Sequence, residues 1–262
     1  MLLLLLACDE PAPPVPRDLT LEHRISRIRA HQDGSTDDLD EAAIRDLLLG
    51  VRGDELLAVK QSLDAGRPEN LHHLLYSDID DDGIRTEIVA HLQVAASRTR
   101  RLQVLSDIDD TLTATWIDTR YPSGTVYPGI LDLYIALSPD QAPTFISARP
   151  GERTGVVEGV TLSGLADLGV EDATLLAGDI TAVTHDDIAE KKHRNFVEYS
   201  ILYPEYDFVF FGDSGQADAE VGRRMLASHP DRVRAVFIHD VTDPEDGNCL
   251  LYTSPSPRDG TK

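Results

Sequence analysis

Positive charge is scarce in this chain. Its 24 Lys and Arg residues face 46 Asp and Glu, for a formal net charge of −22. Such a surface repels phosphate backbones, which excludes nucleic-acid binding as a function. It also opposes passive adsorption to anionic membranes. Long apolar runs are missing too: the five leucines Leu2 to Leu6 are far too few to span a bilayer. There are two cysteines, Cys8 and Cys249, and the second lies in a tail that reads as foreign to the domain, so no disulfide is inferred. No internal repeat is visible. What remains is a chain of 262 residues with 41% hydrophobic content, enough for one catalytic domain with a full core and a smaller helical part.

The most informative stretch is Asp107-Ile108-Asp109-Asp110-Thr111, after the apolar run Leu102-Gln103-Val104-Leu105. A strand ending in Asp-x-Asp-x-Thr places two carboxylates on the same side of the chain. At the carboxyl edge of a parallel sheet, that is where an open α/β fold holds its ligand. One carboxylate can attack phosphorus while the other handles the proton, and together they attract Mg²⁺. Three further pieces follow in order. Thr144-Phe145-Ile146-Ser147 reads as a buried strand that delivers a hydroxyl. Lys192 stands in the polar start of a helical stretch and can neutralise an aspartate–phosphate pair. Asp207-Phe208-Val209-Phe210-Phe211 runs into Gly212-Asp213-Ser214-Gly215-Gln216-Ala217-Asp218, a second apolar strand ending in acids. Singly, each has a plain structural reading as a strand end, a solvated charge or a helix cap; the ordered set points to phosphoryl-transfer chemistry.

That set resembles the four motifs of the haloacid dehalogenase superfamily. More narrowly, Ser106 to Thr111 and Phe211 to Glu220 resemble the catalytic domain of the actin-patch phosphatidate phosphatase, which recurs in bacterial proteins. The likeness covers about residues 100 to 245. It implies that Asp107 is the nucleophile forming an aspartyl-phosphate and Asp109 the general acid and base. Ser147 would orient the phosphoryl group and Lys192 neutralise its charge. Mg²⁺ would be held by Asp107, the Asp109 backbone carbonyl and Asp213, with Asp218 in support. One segment departs from the pattern: Ala148-Arg149-Pro150-Gly151-Glu152-Arg153 stands where the lipid enzyme is associated with Ser-x-Pro-aromatic.

The expected fold is an α/β, Rossmann-like parallel sheet of the haloacid dehalogenase type. Strands are predicted near 102–108, 143–147, 174–178, 207–212 and 233–239. Helices are predicted near 129–137, 154–168, 187–202 and 217–228. Between Thr113 and Pro128 the turn-like Tyr121-Pro122-Ser123-Gly124 leaves no room for a folded cap, so the site is expected to be open, as suits a large or surface-bound substrate. Ahead of this part, spacings of three and four predict helices from Thr36 to about Leu75 and from Ile84 to Ala96. Asp78 to Gly83 imitates the start of a calcium loop, but Val89 stands where the closing Glu belongs, so an acidic helix start is expected. His72-His73 has no metal-ligand spacing to other residues. His239 and Asp240 share the sheet edge of the acids and read as structural.

The two ends differ from the middle. Leu5-Leu6-Ala7-Cys8 resembles a lipoprotein cleavage box, with Cys8 as a membrane tether and the Pro-rich segment after it as an extended linker. That predicts a lipid-anchored envelope protein; without the anchor, a cytoplasmic one. Cys249 to Asp259 reads like a translated library adapter, and the native frame is expected to end near Asn248. The expected organisation is a leader and tether over 1–17, a helical region over 18–100, a catalytic domain over 101–247 and a non-native tail over 248–262. The functional expectation is a Mg²⁺-dependent phosphomonoester hydrolase acting on a phosphorylated substrate such as phosphatidate. A phosphatase for a soluble phosphomonoester and a non-catalytic, membrane-tethered scaffold are the alternatives.

Overall fold

The computed structural model describes residues 19–32, 36–150, 155–178, 184–215, 217–242 and 249–253. The leader, with Cys8, lies outside them. Five front helices come first: α1 (Leu21–Gln32), α2 (Asp38–Leu49), α3 (Gly53–Asp64), a single turn α4 (Leu71–His73) that widens into a π-helical turn over Leu74–Asp78, and α5 (Asp82–Val94). Then strands and helices alternate: β1 (Arg101–Ser106), α6 (Ile130–Leu137), β2 (Thr144–Pro150), α7 (Val156–Asp167), β3 (Thr174–Gly178), α8 (His185–Leu202), β4 (Tyr206–Asp213), α9 (Asp218–Ser228) and β5 (Val233–His239).

The sheet order is β3-β2-β1-β4-β5-β6, and its first five strands are parallel, flanked by helices on both faces. The fold is therefore α/β and Rossmann-like. The chain winds from β1 out to β3 and returns to β4 on the other side of β1. The carboxyl ends of β1 and β4 thus flank the topological switch point, where such sheets open a crevice.

Alternation along the strands divides the interior into two cores. Leu105 of β1 and Phe208 and Phe210 of β4 face α8, α9 and the front helices, in one continuous apolar core. Val104, Val209 and Phe211 face α6 and α7. Asp107 stands two residues beyond Leu105, so the same parity aims it at the α8 side.

Two elements differ from the sequence expectation. Helix α1 was not predicted, because only Leu21, Ile25 and Ile28 interrupt its charged sequence. Burial of Arg24 completes its inner face, with Nη1 donating to the Leu47 carbonyl at 2.6 Å. The sixth strand, β6 (Cys249–Thr253), pairs antiparallel with β5 inside the expected foreign tail. An open sheet edge accepts any extended segment with free backbone groups. The acidic turn before α5 serves as a cap: Asp81 accepts from the Gly83 and Ile84 amides at 2.7 and 2.9 Å. His72 and His73 are bonded to Glu198 and Asp78. Among the described residues no helix is long and apolar enough to cross a membrane.

Candidate active site

Asp107 follows the last residue of β1, and its amide donates to the Phe211 carbonyl of β4 at 2.9 Å. This bond locks the two acidic strand ends together. Helix α8 brings in Lys192 on a buried stripe that includes Ala189, Phe196 and Tyr199, spaced by three and four residues. Lys192 Nζ donates to Asp107 Oδ1 at 2.8 Å and to Asp218 Oδ1 at 2.6 Å. Asp218 opens α9, where the helix amino terminus favours a carboxylate. Its other oxygen accepts from the Asp213 amide at 3.4 Å. Gly212 permits this approach: a Cβ there would lie 2.5 Å from the Asp218 Cβ.

Asp107, Asp213 and Asp218 are all buried, and each offers one oxygen within 4.8 Å of the others. Burial pushes the Asp107 carboxyl up to about 7, against the lowering pull of Lys192 and with the Asp218 charge adding to the rise. Burial likewise raises Asp218, to about 6. Lys192 is the converse: burial alone would lower it, but the charges of Asp107 and Asp218 outweigh that and raise it.

Asp109 pairs with a different cation. Its carboxylate accepts from Arg149 in a two-pronged pair, Nε to Oδ2 at 2.9 Å and Nη2 to Oδ1 at 2.7 Å. Ser147, in the middle of β2, ties the same arginine down by accepting from its backbone amide at 3.0 Å. Four predicted residues, Asp107, Lys192, Asp213 and Asp218, therefore meet directly, and Asp109 and Ser147 are joined to each other through Arg149.

Arg149 and Asp110 are the residues that sequence reasoning passed over. Arg149 lay in the segment that departs from the family pattern, which was its signal. Asp110, fully buried and left-handed at φ 59, holds the loop after β1. Its carboxylate accepts from the amides of Thr115 and Ile117, both at 2.9 Å, and of Trp116 at 3.1 Å. Nothing in the sequence distinguishes it from its neighbours. The loop closes as a short irregular hairpin, with Ala114 donating to the Thr125 carbonyl at 2.9 Å, and Asp118 is clamped by Arg120 and the Tyr127 hydroxyl. His239 supports the loop from β5, its Nδ1 3.2 Å from the Asp110 carbonyl.

The donor set fits a hard divalent cation. Among the described residues three carboxylates (Asp107, Asp213, Asp218) gather within reach of one another beside Lys192, while Asp109 is paired with Arg149. Asp107 Oδ2 is buried without a hydrogen-bond partner. All-oxygen ligation of this kind suits Mg²⁺ or Ca²⁺ rather than softer metals.

Neither a curated protein nor a solved structure matches the chain. Residues 102–240, more than half of the sequence and the span from the second residue of β1 to just past the end of β5, match the family described as the catalytic domain of phosphatidate phosphatase APP1. The chain belongs to this family, and the acids, lysine and arginine at its switch point lie within a phosphatase domain.

Proposed function

We propose that the protein is a Mg²⁺-dependent phosphomonoester hydrolase that works through an aspartyl-phosphate on Asp107, with a lipid phosphate such as phosphatidate as its substrate. The observation that carries this reading is the convergence of Asp107, Asp213 and Asp218 on one buried point with Lys192 between two of them. Mg²⁺ would be held by Asp107, the Asp109 backbone carbonyl and Asp213, with Asp218 in support. Bound there, it would neutralise charge on the phosphoryl oxygens.

The residues of the chain carry the remaining steps. Asp107, held by Lys192, attacks phosphorus and the ester bond to the alcohol breaks. Asp109 delivers a proton to the departing oxygen, then removes one from the water that cleaves the aspartyl-phosphate, which releases phosphate and regenerates Asp107. Arg149 holds both Asp109 oxygens, so one of its two bonds must open before that carboxyl can handle a proton. The Ser147 hydroxyl orients the phosphoryl group. A tether through Cys8 would place the enzyme at the cell envelope.

Phosphate release from phosphatidate in mixed micelles, with Mg²⁺ and with EDTA, tests the reading beside Asp107→Asn. Metal-dependent release that falls at least about 10³-fold in the variant is expected. Release from soluble phosphomonoesters alone would favour the alternative substrate class, to which the net charge of −22 is better suited. No hydrolysis of any phosphomonoester would leave a scaffold.

A further inference from the structure

Beside the acidic cluster lies a cavity of about 350 Å³ that the proposed chemistry leaves unused. Its size falls within the range of small-molecule sites. Tyr127, Ile130, Leu133, Phe211 and Phe237 form apolar walls, and Thr111 and Gly212 also line it. These last two belong to the site itself: Thr111 ends the nucleophile motif and Gly212 precedes Asp213. The cavity therefore runs from the catalytic edge into the α6 side of the sheet.

Its origin is topological. Helix α6 packs on β1 and α7 on β3. The stacked rings of Phe211 and Phe237, with centroids 4.9 Å apart, bound the space left over β4 and β5. Leu133 and Tyr121 line it too and remain 40% and 38% exposed, which leaves the cavity open to solvent beside them.

We propose that this cavity receives one fatty-acyl chain of a lipid phosphate while the phosphate lies against Asp107. The proposal rests on the phosphatase reading and adds the part of the substrate that is recognised away from phosphorus. A phosphomonoester without an apolar tail would leave the aromatic walls uncovered. An acyl chain matches them, and a tail longer than the cavity can continue past Tyr121 and Leu133.

The test uses non-hydrolysable alkylphosphonates from methyl to decyl, titrated calorimetrically into the full chain with Mg²⁺. Affinity is expected to rise roughly fourfold per buried methylene and then level off once the cavity is full. Leu133→Trp, a substitution at a partly exposed position, should weaken decylphosphonate at least tenfold more than methylphosphonate. Ile135→Trp, on the same helix but outside the cavity, should preserve the series. A flat series in the parent chain overturns the proposal, and so does an equal loss of both ligands in Leu133→Trp. Hydrolysis of p-nitrophenyl phosphate is followed in parallel. Its absence would count against the phosphatase reading, while the phosphonate series would still judge the cavity.

Discussion

Among the described residues two lysines are buried, and they lie in chemically opposite surroundings. Lys60, on α3, meets one carboxylate: Nζ donates to Glu205 at 2.6 Å and to the Leu202 carbonyl at 2.9 Å, and lies 4.5 Å from the centre of the Tyr203 ring. Burial lowers its pKa even with Glu205 beside it. Lys192 meets two carboxylates and has a third nearby, and its pKa moves the other way. An unpartnered oxygen does not separate the two places, since Glu205 Oε2 and Asp107 Oδ2 both have one. Charge count does. Around Lys60 the charges balance, two cations (Lys60 and Arg232) standing with two acids (Glu205 and Asp64), and the Lys60–Glu205 pair joins the front helices to the sheet. The Lys192 cluster gathers three buried carboxylates at the switch point, more acid than a structural pair requires and the kind of donor set that a cation-binding site uses.

The sharpest way to break this comparison is to remove each lysine in turn. Lys60→Met should destabilise the fold by about 3–5 kcal/mol in urea unfolding, because it leaves Glu205 buried without its counter-charge. The folded fraction should keep its turnover, and Glu205→Gln added to it should recover part of the stability. Lys192→Met should instead cost phosphatase activity about 10²–10³-fold. If the two variants exchange these outcomes, the division between structural and catalytic lysine is wrong.

A smaller effect concerns Asp64, in the same neighbourhood as Lys60. It accepts from the Leu71 amide at 2.8 Å and the Tyr203 hydroxyl at 2.7 Å, yet burial raises it to about 6 from an ordinary 3.8. Between those two values the folded state holds a proton that the unfolded chain has lost. Stability should therefore fall as pH rises from 4 to 6 and stay lower above, by about 3 kcal/mol at most. Urea midpoints across this range, compared with those of Asp64→Asn, isolate the effect. The variant should show a flatter profile, and an unchanged slope would refute the assignment.

The smallest expected change is at Arg149. Arg149→Ala removes the clamp on Asp109 and should lower kcat/KM about tenfold, the size of one charge-assisted hydrogen bond. Arg149→Lys should restore less than half of the loss, because an ammonium cannot reproduce the two-pronged pair. Steady-state kinetics on a single phosphomonoester measure both.

Much of the catalytic part was legible because its signals are local. A run such as Phe208 to Phe211 between a polar start and an acidic end is a buried parallel strand whichever helices cover it. Helix α8 announced itself by spacing and by Pro204 just beyond its end. Helix α1 escaped because its burial depends on Arg24 reaching a carbonyl on α2, a contact that no hydrophobic pattern encodes. Asp110 escaped for a related reason. Beside Asp109 it has the same chemistry, and only the left-handed backbone turns its carboxylate onto the loop amides instead of the cluster.

The sequence by itself determined the strand–helix alternation, the parallel sheet and the types of residue at its carboxyl edge, since hydrophobic period and chain order suffice for these. Tertiary structure alone decided which charges share a point. Lys192 and Asp218 are 26 residues apart and Lys192 and Asp107 are 85 apart, yet all three meet because α8 and α9 cross the same face of the sheet. It also decided that Arg149 takes Asp109 and that a cavity remains over β4 and β5. Such facts depend on distances between elements, which packing sets and local sequence does not.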